Sequence, residues 1–116
     1  MPLLIRLPWP PKALHAHAKG NWRPKAEATR RYRADAFWAA KEAGVRDGSP
    51  NSVLVFTYLP PDRRRRDVQN MPATLKAAID GIADAMDCDD RDFRPRFPDH
   101  FGEPVKGGAI LVEVLA

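Results

Sequence analysis

The chain contains very little cysteine and has no long apolar run. Cys88 is the only cysteine among 116 residues, which excludes an intrachain disulfide and favours a reducing cytoplasmic setting. No stretch approaches the roughly 18 consecutive apolar residues of a membrane span. The opening MPLLIRLPWPP has a short apolar run that prolines interrupt, so it does not match an export signal. We expect one soluble cytoplasmic domain over residues 1–116, long enough to close its own core, with no membrane partner.

Histidine is scarce as well, which limits metal sites built on nitrogen ligands. His15 and His17 are separated by one residue, and His100 lies far along the chain. Zinc remains a minor alternative, because a lone H-x-H has a high false-positive rate and no cysteine or carboxylate cluster lies nearby. Cys88 has no recognisable histidine partner that would activate a thiolate nucleophile, and Mg²⁺ avoids sulfur. We expect Cys88 to take no part in chemistry.

Positive charge is unevenly distributed along the chain. Residues 1–46 carry ten lysines and arginines against three acidic residues, a net charge of +7, whereas residues 47–116 carry nine against twelve, a net charge of −3. A basic region of this kind is typical of nucleic-acid binding. Arg30 and Arg31 are the candidate backbone contacts in this region, with a merely solvated helix face as the alternative.

Apolar and β-branched runs predict the strands of a small α+β domain. An N-terminal strand is predicted at Leu3–Trp9, a second at Ser52–Leu59 and a last one at Ala109–Leu115, with a further short strand near Phe93. Prolines, glycines and the DGSPN turn at 47–51 separate these runs. We expect a mixed or antiparallel sheet of three to five strands with two main helices packed on it.

The two helices are predicted from their boundaries and their apolar faces. The first is predicted from Pro24, which suits a first turn, to Gly44, which suits the position after a helix end. Its inward face consists of small residues and one aromatic that permit close approach to the sheet: Tyr32, Ala36, Ala39, Ala40 and Ala43. The second helix is predicted from Met71 or Pro72 to Met86, with inward Leu75, Ile79, Ile82 and Met86, and with Lys76, Asp80 and Asp84 on a neighbouring face. Gly81 weakens it by up to about 1 kcal/mol relative to alanine.

The segment between the second strand and the second helix is the most informative part of the sequence. Pro60 and Pro61 end the strand because proline has no backbone donor. Four consecutive guanidinium groups follow, and such groups bind phosphate oxygens bidentately: Arg63, Arg64, Arg65 and Arg66. Their place between a diproline and Asp67 favours phosphate binding over a basic targeting signal, although some of the four can pair with acidic residues instead.

Carboxylates lie on both sides of the second helix. Asp67 precedes it, and Asp89 and Asp90 follow it. Phosphodiester hydrolysis needs a metal that polarises the phosphoryl oxygen and activates a water, and Mg²⁺ prefers carboxylate oxygens. If the helix packs back on its preceding strand, both loops approach one end and the three aspartates can hold Mg²⁺. A hydrated acidic loop is the alternative for Asp89 and Asp90.

Several of these segments resemble the RusA-type Holliday junction resolvases, in the same order along essentially the whole chain. They are LPWPP at 7–11, PDRRRRDVQN at 61–70, KAAID at 76–80, the acidic pair at 89–90 and KGG at 106–108. The resemblance implies a small α+β fold, a homodimer and paired nicking of four-way DNA junctions in recombination and repair. It implies Mg²⁺ as cofactor, with Mn²⁺ able to substitute, and frequent occurrence in phages and prophages. It also implies an active site in which Asp67, Lys76 and Asp90 are catalytic and Asp89 lies beside them.

One position departs from the family pattern. The usual D-x-D-N is Asp67-Val68-Gln69-Asn70 here, so an amide replaces the second acid. Gln69 can still offer a carbonyl oxygen to a metal or its water, but one negative charge fewer weakens Mg²⁺ binding. In an active enzyme Lys76 would contact the scissile phosphate and stabilise developing charge; its alternative role is an i,i+4 partner of Asp80.

Three hypotheses follow from the sequence. The first is a structure-selective, metal-dependent endodeoxyribonuclease, and the second is a catalytically silent dimer of the same fold that binds branched DNA. The third is a general DNA- or RNA-binding accessory protein. An isologous dimer would present two equivalent sites to two strands. Trp9, Trp22 and Trp38 are candidates for its interface or for junction contacts, with burial in the core as the commoner alternative.

Overall fold

A computed structural model of the protein describes residues 3–14, 22–47 and 51–115. Its strands are β1 (Leu3–Pro8), β2 (Ser52–Leu59), β3 (Phe93–Arg96) and β4 (Ala109–Leu115). Its helices are α1 (Trp22–Ala43), α2 (Met71–Thr74) and α3 (Lys76–Ala85), and short 3₁₀ turns lie at 12–14, 68–70 and 90–92. This is the α+β architecture predicted from the sequence, which is therefore confirmed.

The four strands form one mixed sheet in the order β1-β4-β2-β3. The central strand β4 is antiparallel to both β1 and β2, whereas β2 and β3 are parallel. A parallel pair needs a crossover connection, and α2 with α3 provides it. Because Ser52 at the start of β2 is aligned with Phe93 at the start of β3, the loop that follows β2 and the loop that precedes β3 leave opposite ends of the strand pair.

Alternation along the strands determines which residues reach the core. In β2, Leu54, Phe56 and Tyr58 are buried while the residues between them are partly or fully exposed. They pack with buried residues of β4 and of the helices in one hydrophobic cluster. Tyr32 of α1 is buried and its hydroxyl donates to the carbonyl oxygen of Pro8 at 2.7 Å, which fixes α1 against the end of β1. The inward positions predicted at Ala39 and Ala43, unlike those at Tyr32, Ala36 and Ala40, are only partly buried.

The predicted second helix is interrupted, which corrects the sequence prediction of one continuous helix to Met86. Leu75 has φ −92° and ψ 4°, outside helical geometry, and separates α2 from α3. The hydroxyl of Thr74 donates to the carbonyl oxygen of Asn70 at 3.1 Å, and such back-bonding to the residue four positions earlier bends helices. The interruption makes Lys76 the first residue of α3.

The helices α1 and α3 approach each other closely. The sequence predicted only a contact of the small residues of α1 with the sheet. A Cβ atom added at Gly81 would lie 2.2 Å from the carbonyl oxygen of Arg33 and 2.9 Å from the Cβ of Ala36. Gly81 is therefore required by packing, a role that its helix propensity does not reveal. This contact sets the position of α3, which carries Lys76, Asp80 and Asp84.

The helices of the described ranges include none that is both long and apolar enough to cross a membrane.

Candidate functional site

The end of the arginine segment (Arg63–Arg66) is fixed by contacts within the protein. The side chain of Arg66 is only 18% exposed and forms an ion pair with Asp62 at 2.8 Å. It also donates to the carbonyl oxygens of Asp62 at 3.1 Å and Arg64 at 3.0 Å, and its guanidinium lies 5.6 Å from the ring centroid of Trp9. Arg66 therefore holds the loop in shape and has little of its guanidinium left for a ligand.

Glycine is needed where this loop meets the chain before β4. Gly108 has φ +73°, and a Cβ there would lie 2.9 Å from the Cβ of Trp9 and 3.0 Å from the Cδ of Pro61. The LPWPP, PDRRRR and KGG segments thus meet at one place, beyond the carboxyl end of β2. Three segments that carry the family resemblance are brought together by the fold.

The other three arginines are available to a ligand. Arg63 pairs with Glu103 at 2.9 Å, but their side chains are 78% and 84% exposed, so this ion pair contributes little and is easily exchanged. The side chains of Arg64 and Arg65 are exposed, and neither has a hydrogen bond or ion pair to another described residue. The backbone amide of Arg64 donates to Asp62 at 2.9 Å, which orders the loop while leaving its guanidinium free.

Arg30 and Arg31 lie on the exposed face of α1, as predicted. They line an open groove of about 700 Å³ together with Pro11, Pro24 and Glu27. The groove offers two cations on a partly apolar floor. Neither arginine forms an ion pair with a described residue.

Lys76 lies between two carboxylates from different parts of the chain. Its ammonium donates to Oδ1 of Asp80 at 2.8 Å and also to Oδ2 of Asp90. The hydrogen bonds that Lys76 donates to Asp80 and, next in effect, to Asp90 raise the pKa of Lys76 above its usual value. Lys76 and Asp90, which the sequence analysis names as two of the catalytic residues, are therefore in direct contact, and Asp80 belongs to the same group.

A cavity of about 200 Å³ opens beside this group. Its lining combines four carboxylates with one guanidinium and two small side chains: Arg33, Asp80, Ala83, Asp84, Cys88, Asp89 and Asp90. We call it the acidic cavity. Arg33 of α1 reaches across to Asp84 with two hydrogen bonds of 2.7 and 2.9 Å, and this contact holds the pKa of Asp84 below its usual range. The Arg33–Asp84 pair joins α1 to the wall of the cavity.

The Asp89 carboxylate accepts hydrogen bonds from residues of its own loop. Its side chain caps the 3₁₀ turn at 90–92 and accepts from the amide of Arg91 at 2.9 Å, and Asp92 completes the capping box. The guanidinium of Arg91 lies 3.1 Å from the second oxygen of Asp89. Hydrogen bonds from the side chain and the backbone of Arg91 lower the pKa of Asp89 to about 2. Asp89 is thus ionised at neutral pH and lies on the edge of the acidic cavity.

Asp67 and Gln69 lie in the loop at the other end of α3 and do not contact these carboxylates. The Asp67 side chain accepts a hydrogen bond of 3.0 Å from the amide of Gln69 and so caps the 3₁₀ turn at 68–70. Both side chains are exposed. Among the described residues, no three His, Cys, Asp or Glu side chains form a group that would hold a metal ion. The predicted joint metal site of Asp67, Gln69, Asp89 and Asp90 therefore stays a prediction.

Sequence reasoning did not select three residues of the acidic cavity. Asp80 was visible only as the i,i+4 partner of Lys76, and Asp84 only as the next acid on that helical face. Arg33 gave no local signal at all, because its contact with Asp84 spans 51 positions of the chain. The KAAID spacing could have indicated Asp80, whereas Arg33 becomes apparent only once α1 is packed on α3.

The alternative sites in the sequence have less support in the structure. His15 and His17 lie outside the described residues, and His100 is exposed. Burial, followed by nearby carboxylates, raises the pKa of the Cys88 thiol, which disfavours the thiolate that a nucleophile needs. Trp38 is 68% exposed on α1 and Trp9 is partly buried, whereas the side chain of Trp22 is outside the described part.

Comparison with known proteins finds a relative of unassigned activity. No model of a known protein family matches the chain. An uncharacterized protein of Xylella fastidiosa (strain Temecula1) is 37% identical over 94 residues, which cover 77% of this chain. The matched region is 61% of that relative, so the chain spans about three fifths of its length. This relative carries no statement of activity that could be transferred.

Proposed function

We propose that the protein is a metal-dependent endodeoxyribonuclease that nicks branched DNA, with four-way junctions as its substrate class. The observation that carries this proposal is the convergence of carboxylate oxygens of Asp80 and Asp90 on one cation, the Lys76 ammonium. Phosphodiester hydrolysis with a divalent ion needs carboxylates that fix the ion, and two carboxylates that converge beside an open cavity support this use. The motifs occur in the same order as in the RusA-type resolvases. This resemblance supports a four-way junction as the substrate and the cytoplasm of a bacterial or phage-infected cell as the location.

The donor set beside Lys76 fits Mg²⁺. This ion keeps several waters and is usually bound through one or two carboxylates together with substrate phosphates, and Asp80 and Asp90 already share one position for a cation. Asp90 would hold the ion beside the negative charge of Asp80, with Asp89 at the cavity edge. Asp67 and Gln69, whose loop precedes α2 and does not contact this group, stay predicted ligands. When bound, a divalent ion would polarise the phosphoryl oxygen and lower the pKa of a bound water. The Lys76 ammonium would contact the scissile phosphate and stabilise its charge.

The exposed arginines would bind the DNA backbone away from the site of cleavage. The arginine segment lies beyond the carboxyl end of β2, whereas Asp89 and Asp90 precede β3 at the opposite end of the strand pair. Phosphate contacts position a duplex without reading its sequence. Arg64 and Arg65 would make these contacts, Arg63 would join them by releasing Glu103, and Arg30 and Arg31 would add a second patch. A ligand that bends or branches can touch both regions, which supports a structure-selective activity.

A homodimer is part of the proposal. Resolution of a four-way junction needs two related nicks, and a two-fold dimer supplies two equivalent sites. Trp38 is the most exposed large aromatic of the described residues and lies on the same helix as Arg30 and Arg31. Sedimentation at micromolar concentration, with and without junction DNA, would measure the assembly.

The proposal is tested by nicking of a synthetic four-way junction in Mg²⁺ or Mn²⁺ with the wild type, Asp90→Asn and Asp67→Asn. Paired cuts that both substitutions abolish, with junction binding retained, support the enzyme and a role for both loops. Cuts that only Asp90→Asn abolishes would place the chemistry at the acidic cavity without Asp67. Junction binding without cleavage in either metal would reject the enzyme.

A second candidate, a catalytically silent protein that binds branched DNA, is supported by two observations. Gln69 replaces an acid of the family pattern, and Asp67 makes no contact with the acidic cavity. Gln69→Asp discriminates the two candidates. A gain of cleavage in this variant would show that the wild type is inactive because Gln69 replaces the acid. Competition between junction, duplex and single-stranded ligands at fixed salt distinguishes both from a general nucleic-acid binder, whose affinity falls steeply with salt and shows no preference for branches.

A further inference from the structure

We infer that Lys76 is the resident counter-ion of Asp90 and competes with a divalent ion for that carboxylate, with Asp80 as the residue that retains Lys76 when it is displaced. This inference rests on the proposed function, because it concerns how the metal enters the same site. It assigns a role to Asp80, which neither the sequence motifs nor the comparisons give.

The Lys76 ammonium occupies one oxygen of each of the two carboxylates beside the acidic cavity. The lysine Nζ contacts Asp80 within α3 and Asp90 from the turn after it. The Lys76 side chain is 58% exposed, whereas those of Asp80 and Asp90 are 23% and 36% exposed. The two carboxylates are therefore less exposed than the lysine that they bind, and the more exposed lysine side chain can move away from Asp90. An ion that binds Oδ2 of Asp90 therefore competes with the ammonium that this oxygen already contacts.

A count of charges in the acidic cavity favours exchange. Asp84 is paired with Arg33 and Asp89 with Arg91, each through two contacts to one guanidinium. These two carboxylates are therefore already neutralised. Asp80 and Asp90 share the single positive charge of Lys76, which leaves one negative charge uncompensated. A divalent ion matches the charge of this pair, whereas the ammonium does not.

The i,i+4 spacing within α3 explains why displacement does not expel the lysine. Lys76 and Asp80 lie on the same helical face one turn apart, where such pairs form without any other partner. When an ion takes Asp90, Lys76 keeps a contact with Asp80 and stays beside the cavity. There it can meet the phosphate that accompanies the metal. Asp80 is in this respect a positioning residue.

The test is the affinity of the full chain for Mn²⁺ alone, measured by electron paramagnetic resonance of the free ion, without DNA. Lys76→Gln removes the competing cation, and we expect it to bind Mn²⁺ roughly two- to fivefold more tightly than the wild type, since the exposed ion pair with Asp90 is worth up to about 1 kcal/mol. Lys41→Gln is the matched control, because Lys41 lies on α1 over the ring of Phe37 and pairs with no described carboxylate. It makes the same change in net charge, and we expect no change in affinity.

A second variant tests Asp80 itself. Asp80→Asn removes half of the negative pair, and we expect weaker Mn²⁺ binding than in the wild type. Asp99→Asn, at an exposed position with no ion pair to a described residue, is its control. Mn²⁺ affinity separates the positioning role from a merely structural one, because a substitution that only loosened α3 would lower the melting temperature and leave Mn²⁺ affinity in step with the control.

The outcomes separate this inference from the proposed function. Tighter Mn²⁺ binding in Lys76→Gln, with no change in Lys41→Gln, supports the inference whether or not the protein cuts DNA. Equal or weaker binding in Lys76→Gln overturns it, and the junction-nicking assay then still decides the proposed function. Absence of Mn²⁺ binding in both wild type and Lys76→Gln also overturns it.

Discussion

Replacement of Gly81 by alanine tests the packing that positions the candidate site. Judged by helix propensity, Gly81→Ala should stabilise α3 by up to about 1 kcal/mol. The structure predicts the opposite sign, because the new Cβ would lie 2.2 Å from the carbonyl oxygen of Arg33 and 2.9 Å from the Cβ of Ala36. The first of these contacts is with backbone, which cannot turn away as a side chain can. The helices α1 and α3 must therefore separate.

The magnitude follows from two opposing terms. Overpacking of a core costs about 1–3 kcal/mol, and a Cβ only 2.2 Å from a backbone oxygen places this substitution at about 2–3 kcal/mol. The gain in helix propensity offsets about 1 kcal/mol of this cost. We expect a net loss of about 1–2 kcal/mol, which for a chain of this size corresponds to a fall in Tm of roughly 3–10 °C. Because Arg33 is itself displaced, the Arg33–Asp84 pair should also weaken.

The assay is thermal and urea unfolding of the wild type, Gly81→Ala and two comparison variants. Ala34→Gly, at an exposed position of α1, measures the propensity term alone and should cost about 1 kcal/mol. Ala36→Gly in the Gly81→Ala background removes the side-chain contact but leaves the carbonyl contact, so it should not restore stability. A Tm for Gly81→Ala equal to or above that of the wild type would refute the close approach of the two helices.

Three further predictions concern single side chains. Because Arg33 lowers the pKa of Asp84, their pair stabilises the fold above the ordinary carboxyl pKa of about 4 and loses this effect as pH falls through the lowered value. In urea unfolding across pH 2–6, the wild type should lose at most about 1 kcal/mol from this exposed pair, and Asp84→Asn should lack that loss. Parallel pH profiles of the two proteins would contradict this prediction. Arg66→Ala should destabilise the fold by about 1 kcal/mol through loss of its ion pair and its contact with an aromatic ring, whereas Arg65→Ala should leave Tm unchanged and lower the salt slope of DNA binding by about 1; equal effects on Tm would be inconsistent with this division. The Tyr58 hydroxyl is buried without a hydrogen-bond partner among the described residues, so Tyr58→Phe should be neutral or stabilising, and a loss above about 1 kcal/mol would reveal a partner.

Strands with clear boundaries could be predicted from local sequence. The predicted limits of β2 and β4 agree with the structure, because alternating β-branched and aromatic residues lie between strong turn or proline signals. The sequence predicts the start of α1 at Pro24, two residues after its observed start at Trp22. These features depend on neighbours in the chain, which a sequence displays directly.

Features that depend on distant contacts could not be predicted. The four residues of β3 include Pro95 and give a weak strand signal, and their parallel pairing with β2 follows from the crossover through α3. The break at Leu75 and the requirement for Gly81 arise from how the helices pack. In the candidate site, the contact of Lys76 with Asp90 was within reach of motif reasoning, but the place of Arg33 and Asp84 in the acidic cavity was not.

The four arginines of the segment at 63–66 differ in their contacts, which their sequence does not reveal. From sequence, Arg63 to Arg66 are all candidate phosphate ligands, and nothing shows which of them pairs with an acidic residue instead. In the structure Arg66 is mostly buried against Trp9 and Asp62, whereas Arg64 and Arg65 remain exposed. A run of identical residues thus contains one that shapes the loop and at least two that are free for a ligand.

The central claim is that the carboxylates beside Lys76 support hydrolysis of branched DNA. The most direct measurement is the rate of nicking of one end-labelled four-way junction in Mg²⁺ by the wild type and by Asp90→Asn, at protein concentrations where both bind the junction fully. The account predicts paired nicks by the wild type and none by Asp90→Asn. Equal nicking by the two proteins, or full binding by the wild type with no nicking in Mg²⁺ or Mn²⁺, would contradict it.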